Sequence, residues 1–271
     1  MATIERIAVP LDGSETAEMA FPLARTLARG LGVPIELIHV HGVTYGHDDE
    51  EGIEKEVVDA AQGYLEDKAG KLEEEGFSTR TTLLEGVVAS ELAGHLAGEG
   101  NGLIVMTTHG RSGMSRFWLG STAETLVRCS PWPVLLVRPD QRYLPDSLDR
   151  VLVAVDGSER SEHALAWGRI LAKAAGATVT LLQVVPDDKA TSGAEEYLQG
   201  IARDGEEIAT VTSESASGAI LEEAKDRSAG LVALTTRGRG AVARTLFGSV
   251  ADKVLRTAEV PLLVVNEEAE D

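Results

Sequence analysis

The stretch "RIAVPLDGSE", Arg6–Glu15, decides the fold, because it returns as "RVLVAVDGSE" at Arg150–Glu159. Each copy opens with five apolar residues, Ile7–Leu11 and Val151–Val155, rich in Val and Ile. Such a short run, bounded by a turn signal, reads as a buried strand. Asp-Gly-Ser then turns the chain. The segments that follow, Ala17–Gly32 and Glu162–Gly176, carry apolar residues at helical spacing and end in glycine, a helix C-cap signal. The match runs without a gap from Arg6–Val40 to Arg150–Val184, an offset of 144 residues.

A second pair of segments extends the repeat. "THGRSGMSRFWLGS", Thr108–Ser121, recurs as "TRGRGAVARTLFGS", Thr236–Ser249, at an offset of 128. The second copy is therefore 16 residues shorter between the two motifs. The loss falls in the acidic segment His41–Gln62, which shrinks to "VPDDKATSGAEE". Between the copies lies "RPDQRYLPDSLD", Arg138–Asp149, with two prolines among polar residues. The expected domains are residues 1–140 and 148–267.

Strand and helix alternate through each copy. "IELIHV" and "TVTLLQV" are second strands, each followed by an acidic helix, and "RTTLLEG" is a third strand. "ASELAGHLAGEG" is a helix, and "LIVMTT" and "LVALTT" are fourth strands. "STAETLVRCS" and "SVADKVLRTA" are final helices, and "PVLLVRP" and "PLLVVNE" are fifth strands. This order predicts an α/β domain with a parallel sheet in each half.

The composition agrees. Of 271 residues, 43% are hydrophobic but only 4% aromatic, so the core is built from Ala, Val, Leu and Ile, which suits buried parallel strands. The formal net charge of −19 argues against nucleic acid and anionic membranes as partners. A nucleotide can bind only where backbone N–H groups and a few arginines locally reverse the field. Cys129 is the single cysteine, so no disulfide closes within the chain. The N-terminus lacks the basic and apolar regions of a signal peptide, and no apolar run reaches membrane-spanning length. A cytoplasmic protein is expected.

In open α/β sheets, ligands bind beyond the carboxyl ends of the strands. The Asp12 and Asp156 turns follow strand one, and the glycine-rich segments follow strand four, so two distant loops should converge. Gly120-Ser121 and Gly248-Ser249 stand where the last helix begins, and a helix N-terminus offers unpaired N–H groups to an anion. Ser121 and Ser249 can cap that helix or donate to a phosphate. Asp12 and Asp156 can accept from a ribose hydroxyl or hold Mg2+. The competing reading makes Gly110 a strand end, Gly120-Ser121 a plain cap and Asp12 a cap of the first helix. Caps do not require one fixed interval, and here it occurs twice. No Lys completes a P-loop in either copy.

Other residues read as structural. His39, His41 and His47, with Asp48, Asp49 and Glu50, match no compact zinc spacing, and Gln183 replaces His39 in the second copy; strand-end and loop histidines are expected. His109 becomes Arg237, which suits a polar ligand contact and disfavours an obligatory general base. Cys129 reads as a small buried residue. Trp118 and Phe247 read as core or domain-contact aromatics.

The Asp-Gly-Ser-Glu turn, "LIHV", "THGRSG…LGS", "AETLVR" and "PVLLVR" together resemble the universal stress protein family, and the resemblance covers both halves. It implies two flavodoxin/Rossmann-like domains of the adenine nucleotide alpha hydrolase-like type. Each has a five-stranded parallel sheet, order 3-2-1-4-5, with helices on both faces. Single-domain members dimerise through their fifth strands, so the tandem chain would pair its own halves, and full chains can pair again as a homodimer. The ATP-binding branch carries G-x2-G-x9-G-[S/T]. Here Thr107 and Thr235 stand at the first glycine, and the rest is intact.

By position, the resemblance implies a first nucleotide site of Pro10, Leu11, Asp12, Val40, Met106, Thr107, His109, Gly110, Gly120, Ser121 and Thr122. The second is Ala154, Val155, Asp156, Val184, Leu234, Thr235, Arg237, Gly238, Gly248, Ser249 and Val250. "EGVVAS" before the third helix becomes "ESASGA", which favours the first site. The implied function is a cytoplasmic stress-response regulator or sensor that binds ATP, with Mg2+ as a companion ion. The alternatives are a protein-interaction role with empty sites, or a slow ATPase resting on Asp12 and His109. No catalytic residues are assigned.

Overall fold

The computed structural model describes residues 3–42, 50–109, 119–139, 148–236 and 247–266, with side chains throughout these except at 50–54. The first half runs β1 (Arg6–Leu11), α1 (Glu15–Glu18), α2 (Phe21–Leu31), β2 (Ile35–His41), α3 (Glu50–Glu74), β3 (Thr79–Glu85), α4 (Val88–Ala97), β4 (Gly102–Thr107), α5 (Ser121–Cys129) and β5 (Val134–Val137). The second runs β6 (Arg150–Val155), α6 (Glu159–Ala175), β7 (Thr178–Val185), α7 (Thr191–Ile201), β8 (Glu207–Thr212), α8 (Ala216–Asp226), β9 (Leu231–Thr235), α9 (Ser249–Thr257) and β10 (Leu262–Val265). A 3-10 turn at Asp188–Ala190 precedes α7.

The repeat is legible in the helices, with one difference. Gly32 and Gly176 end α2 and α6 in the left-handed conformation, φ 69° and 71°, as their glycines predict. The expected single first helix of the first half is instead broken into α1 and α2. Met19 and Ala20 bond back three residues, to Thr16 and Ala17, and Pro22 enters at the start of α2. Proline has no N–H to continue a helix and fits its first turn. In α6 the corresponding residue is Ala166, and the helix is continuous.

All ten strands form one sheet, in the order β3-β2-β1-β4-β5-β10-β9-β6-β7-β8. Within each half the pairs are parallel and the order is 3-2-1-4-5. The central strands β4 and β9 are buried along their whole length, as the near-continuous apolar runs of a sheet covered on both faces should be. The halves join where β5 meets β10 antiparallel, with Leu135 opposite Leu263. Those two leucines are 128 residues apart, the offset of the repeat, so each faces its own counterpart across a pseudo-two-fold axis. The pairs Leu136–Leu262 and Val134–Val264 exchange under the same rotation, the mark of an isologous interface.

The two faces of the sheet carry separate cores, and both span the two halves. One packs Ile7, Leu37 and Leu103 with α2, α3 and α6. The other packs Ile38, Met106 and Val232 with α4, α5, α8 and α9. On the first face α2 and α6 cross at the axis. A Cβ on Gly30 would lie 1.8 Å from the Ala174 carbonyl oxygen, and Gly30 and Ala174 are again repeat counterparts, 144 residues apart.

At the amino ends of the strands each half holds an ion cluster that reading "IELIHV" and "TVTLLQV" as strands does not reveal. Glu36 is 1% exposed. It accepts from Thr82 at 2.7 Å and lies 2.8 Å from His95 Nε2, 3.4 Å from Arg6 and 3.6 Å from Arg80. Glu99 joins Arg6 and Arg80. In the second half Thr180 replaces Glu36, and the outer charges are exchanged. Glu207 sits opposite Thr180 as Arg80 sits opposite Glu36, and it pairs with Arg150 and Arg227.

Candidate functional site

β1 and β4 are neighbours in the sheet, but the chain leaves them in opposite directions along it, β1 toward β2 and β4 toward β5. The loops after them therefore diverge and leave a crevice at the carboxyl ends. In the first half that crevice has a volume of about 530 Å3 out to its solvent mouth. Pro10, Leu11 and Asp12 enter it from β1, Ala17 from α1, Ile38 and Val40 from β2, Val88 and Leu92 from α4, Met106 and Thr107 from β4, and Thr122 from α5.

Seven of these residues were expected from sequence: Pro10, Leu11, Asp12, Val40, Met106, Thr107 and Thr122. Ala17, Ile38, Val88 and Leu92 were not. Their signals are faint but physical. Ile38 and Val40 alternate onto one face of β2. Val88 and Leu92 are one turn apart on α4.

The aspartate flank is built identically in both halves. Gly13 and Gly157 adopt φ 82°, a left-handed conformation that glycine takes without strain. That turn brings Ser14 back onto its own aspartate. Asp12 Oδ1 accepts from the Ser14 N–H at 3.0 Å and from its hydroxyl at 2.5 Å. Asp156 Oδ1 does the same with Ser158 at 3.1 and 2.5 Å. The helix N-caps are the serines: Ser14 accepts from the Ala17 N–H and Ser158 from the Ser161 N–H. The competing expectation that Asp12 itself caps the first helix does not hold; Asp12 orients the residue that does. Asp12 and Asp156 remain partly exposed.

The glycine flank is also repeated. The Gly120 N–H donates to the Thr108 carbonyl at 2.8 Å, and the Gly248 N–H to the Thr236 carbonyl at 2.8 Å. Each bond returns the chain from its loop to the end of the fourth strand. A Cβ on Gly120 would lie 2.8 Å from the Thr108 oxygen, so glycine is needed here for space; its φ of −60° suits any residue. Gly120 and Gly248 are the N-cap residues of α5 and α9, and no side chain caps either helix. Ser121 and Ser249 thus take the first helical position, and of their two expected roles capping is excluded. The first turn of each helix keeps the anion-attracting character of an uncapped N-terminus.

Thr107 and Thr235 are 5% and 7% exposed. The Thr107 hydroxyl donates to the His109 carbonyl at 2.8 Å. Thr108 Oγ1 lies 3.0 Å from His109 Nδ1. Gly110, Arg237 and Gly238 lie outside the described residues, as do Trp118, His47, Asp48 and Asp49; the Glu50 side chain does too.

In the second half, Ala154 and Val155 end β6 and Asp156 follows it, Val184 lies near the end of β7, and Leu234 and Thr235 end β9. Ser249 and Val250 open α9. Three differences from the first half stand out. Ser161 replaces Ala17, accepts from the Asp156 N–H at 3.2 Å and donates to the Ser158 carbonyl at 2.8 Å. Val250 replaces Thr122, which removes a hydroxyl from the helix opening. At the next helix Ser215 caps α8 by accepting from the Gly218 N–H, where Val87 offers α4 no side-chain bond.

Cys129, expected to be buried, is exposed. It is the last residue of α5, beyond Ala123, Leu126 and Val127, which face the core. Phe247 is buried in the core of the α8–α9 face. The His39 ring meets Tyr64 edge-on, 6.4 Å between centroids. Among the described residues no group of three or more His, Cys, Asp or Glu side chains is placed to hold a metal. No described helix is long and apolar enough to cross a membrane.

Comparison with known proteins adds a family to this geometry. The universal stress protein family profile matches residues 3–138 and again 147–266. A universal stress protein of Mycolicibacterium smegmatis is 28% identical over 97% of this chain and 98% of its own. One from Methanocaldococcus jannaschii is 31% identical over 51% of this chain and 84% of its own. The crystal structure of a universal stress protein from Archaeoglobus fulgidus superposes with a TM-score of 0.79 at 25% identity, covering 97% of this chain and 98% of that one.

Proposed function

The chain belongs to the universal stress protein family through both of its halves, and from that premise we propose that it binds an adenine nucleotide. The ligand is ATP, accompanied by Mg2+, and the protein acts as a cytoplasmic stress-response regulator or sensor. The observation that carries this reading is the convergence of Asp12, Val40, Met106, Thr107 and Thr122 on one crevice of about 530 Å3.

Each part of the crevice suits one part of the ligand. Ile38, Val40, Leu92 and Met106 supply apolar walls for a purine. Asp12, oriented by Ser14, suits a ribose hydroxyl or a phosphate-bound Mg2+. The uncapped first turn of α5, with the Ser121 and Thr122 hydroxyls, suits phosphate oxygens. One helix end contributes about 0.3–1 kcal/mol to an exposed anion and up to about 2 when partly buried. In a chain of net charge −19, the helix end, the hydroxyls and the metal must act together. The second site is assigned the equivalent residues, Ala154, Val155, Asp156, Val184, Leu234, Thr235, Arg237, Gly238, Gly248, Ser249 and Val250, and binds more weakly because Val250 lacks the Thr122 hydroxyl.

Regulation by binding fits better than catalysis. Asp12 is engaged with Ser14 and His109 with Thr108, and neither pairing forms a nucleophile–base unit. The test is direct. Purified protein is denatured and its supernatant analysed for nucleotide, and protein stripped of ligand is titrated with millimolar ATP and Mg2+. Bound or saturable ATP supports the reading. Neither, at those concentrations, leaves the interaction role with empty sites.

A further inference from the structure

We propose that Thr107 is a positioning residue of the crevice, whose buried hydroxyl sets the course of the chain leaving β4 before any ligand arrives. The functional part of this proposal rests on the nucleotide-binding reading above; its structural part stands without it.

Thr107 borders the crevice yet is 5% exposed. Its hydroxyl hydrogen points along the chain, to the His109 carbonyl at 2.8 Å. The next residue repeats the gesture, with Thr108 Oγ1 3.0 Å from His109 Nδ1. The backbone is held as well. The Thr108 N–H donates to Val137 at 2.9 Å, and the Thr108 carbonyl accepts from Gly120 at 2.8 Å. His109 is thus held through its carbonyl by one threonine and through its ring by the other, directly beside the bond that returns the chain to α5.

A glycine at 107 would offer none of this. It has no hydroxyl, and its backbone is the freest of any residue. A loop that leaves the strand from glycine must be ordered by its ligand, and that ordering subtracts from affinity. Thr107 already fixes the first two residues beyond β4 through the His109 carbonyl, so the hydroxyl contributes to binding without touching the ligand. Thr235 occupies the same place in the second half, followed by a Thr236 that bonds Val265 and Gly248 as Thr108 bonds Val137 and Gly120.

Three variants of the full chain separate hydroxyl from shape. Thr107→Val keeps the branched side chain and loses the hydrogen bond. Thr107→Ser keeps the bond and loses a methyl group. Thr107→Gly loses both. Amide hydrogen exchange of the His109 peptide, measured without nucleotide, and the dissociation constant for ATP with Mg2+ are the two readouts. Thr107→Val and Thr107→Gly are expected to speed exchange and weaken ATP by roughly 3- to 10-fold, the scale of one side-chain hydrogen bond. Thr107→Ser should stay within about twofold of wild type, well inside that scale. Unchanged exchange in Thr107→Val, or a serine variant as impaired as the valine one, overturns the proposal. Should the exchange pattern hold while wild-type protein binds no ATP, the positioning role stands and the nucleotide reading falls.

Discussion

Leu135 and Leu263 lie opposite each other on antiparallel strands at the centre of the ten-stranded sheet, and each is the other's counterpart in the repeat. Both are fully buried. The junction between the halves is therefore continuous core. Leu135→Ala should cost about 2–5 kcal/mol, the range for deleting a buried leucine side chain. Leu135→Asp should separate the halves or unfold the chain. Denaturant unfolding checks both, and a Leu135→Ala midpoint equal to wild type would contradict the continuity of the junction.

Gly30 gives a prediction of unusual sign. Replacing an interior helical glycine by alanine ordinarily stabilises by about 1 kcal/mol. Here the added Cβ would meet the Ala174 carbonyl oxygen at 1.8 Å, and the obstacle is backbone. Gly30→Ala should lower the melting temperature, and adding Ala174→Gly should not restore it. Stabilisation by Gly30→Ala would show that α2 and α6 do not cross this closely.

At Gly120 the cost should appear in the site. Any Cβ there presses on the Thr108 oxygen, so Gly120→Ala should displace the helix opening and weaken ATP. Gly120→Glu should abolish the first site and Gly248→Glu the second. Because the glycine is needed for space, these changes carry some loss of stability too. Calorimetric stoichiometry with each variant separates the two sites, and full ATP affinity in Gly120→Glu would remove α5 from the binding surface.

The Arg6–Glu99–Arg80 group predicts a pH dependence. Hydrogen bonds from Arg80 and then Arg6 hold the Glu99 carboxyl down to about 2, against an ordinary 4.5. A folded-state value below the unfolded one adds stability above the unfolded value, and that stability is lost as pH falls through the folded one. Glu99→Gln should therefore flatten the stability profile between about pH 4.5 and 2 and leave its shape above pH 6 unchanged. A slope equal to wild type across the acid range would discount the pairing.

The sequence carries its architecture where burial and periodicity coincide. Ile7–Leu11, Leu103–Thr107 and Leu231–Thr235 are uninterrupted apolar runs, and they are the inner strands. The antiparallel pairing of β5 with β10 was implied by the family resemblance and not by the repeat itself. The misreadings have particular causes. Glu36 shows in the sequence only as one residue of a strand, because a carboxylate inside is legible only with its partners Thr82 and His95, dozens of residues away. Cys129 looks buried because Leu126 and Val127 precede it, but it is the last residue of α5 and is exposed. Ile38 and Leu92 look like ordinary core, and nothing local marks a core residue that also walls a crevice. Asp12 was legible because topology brings the ends of β1 and β4 together, whereas Val40 and Met106 were implied by the family resemblance.

The central claim is that the crevice between β1 and β4 receives an adenine nucleotide. Crystals of the full chain grown with ATP and Mg2+ measure this most directly. The account predicts a purine against Ile38, Val40 and Met106, ribose at Asp12, and phosphates at the opening of α5. A structure in which that crevice holds only solvent, or is closed by the chain's own side chains, while millimolar ATP is present, would contradict it.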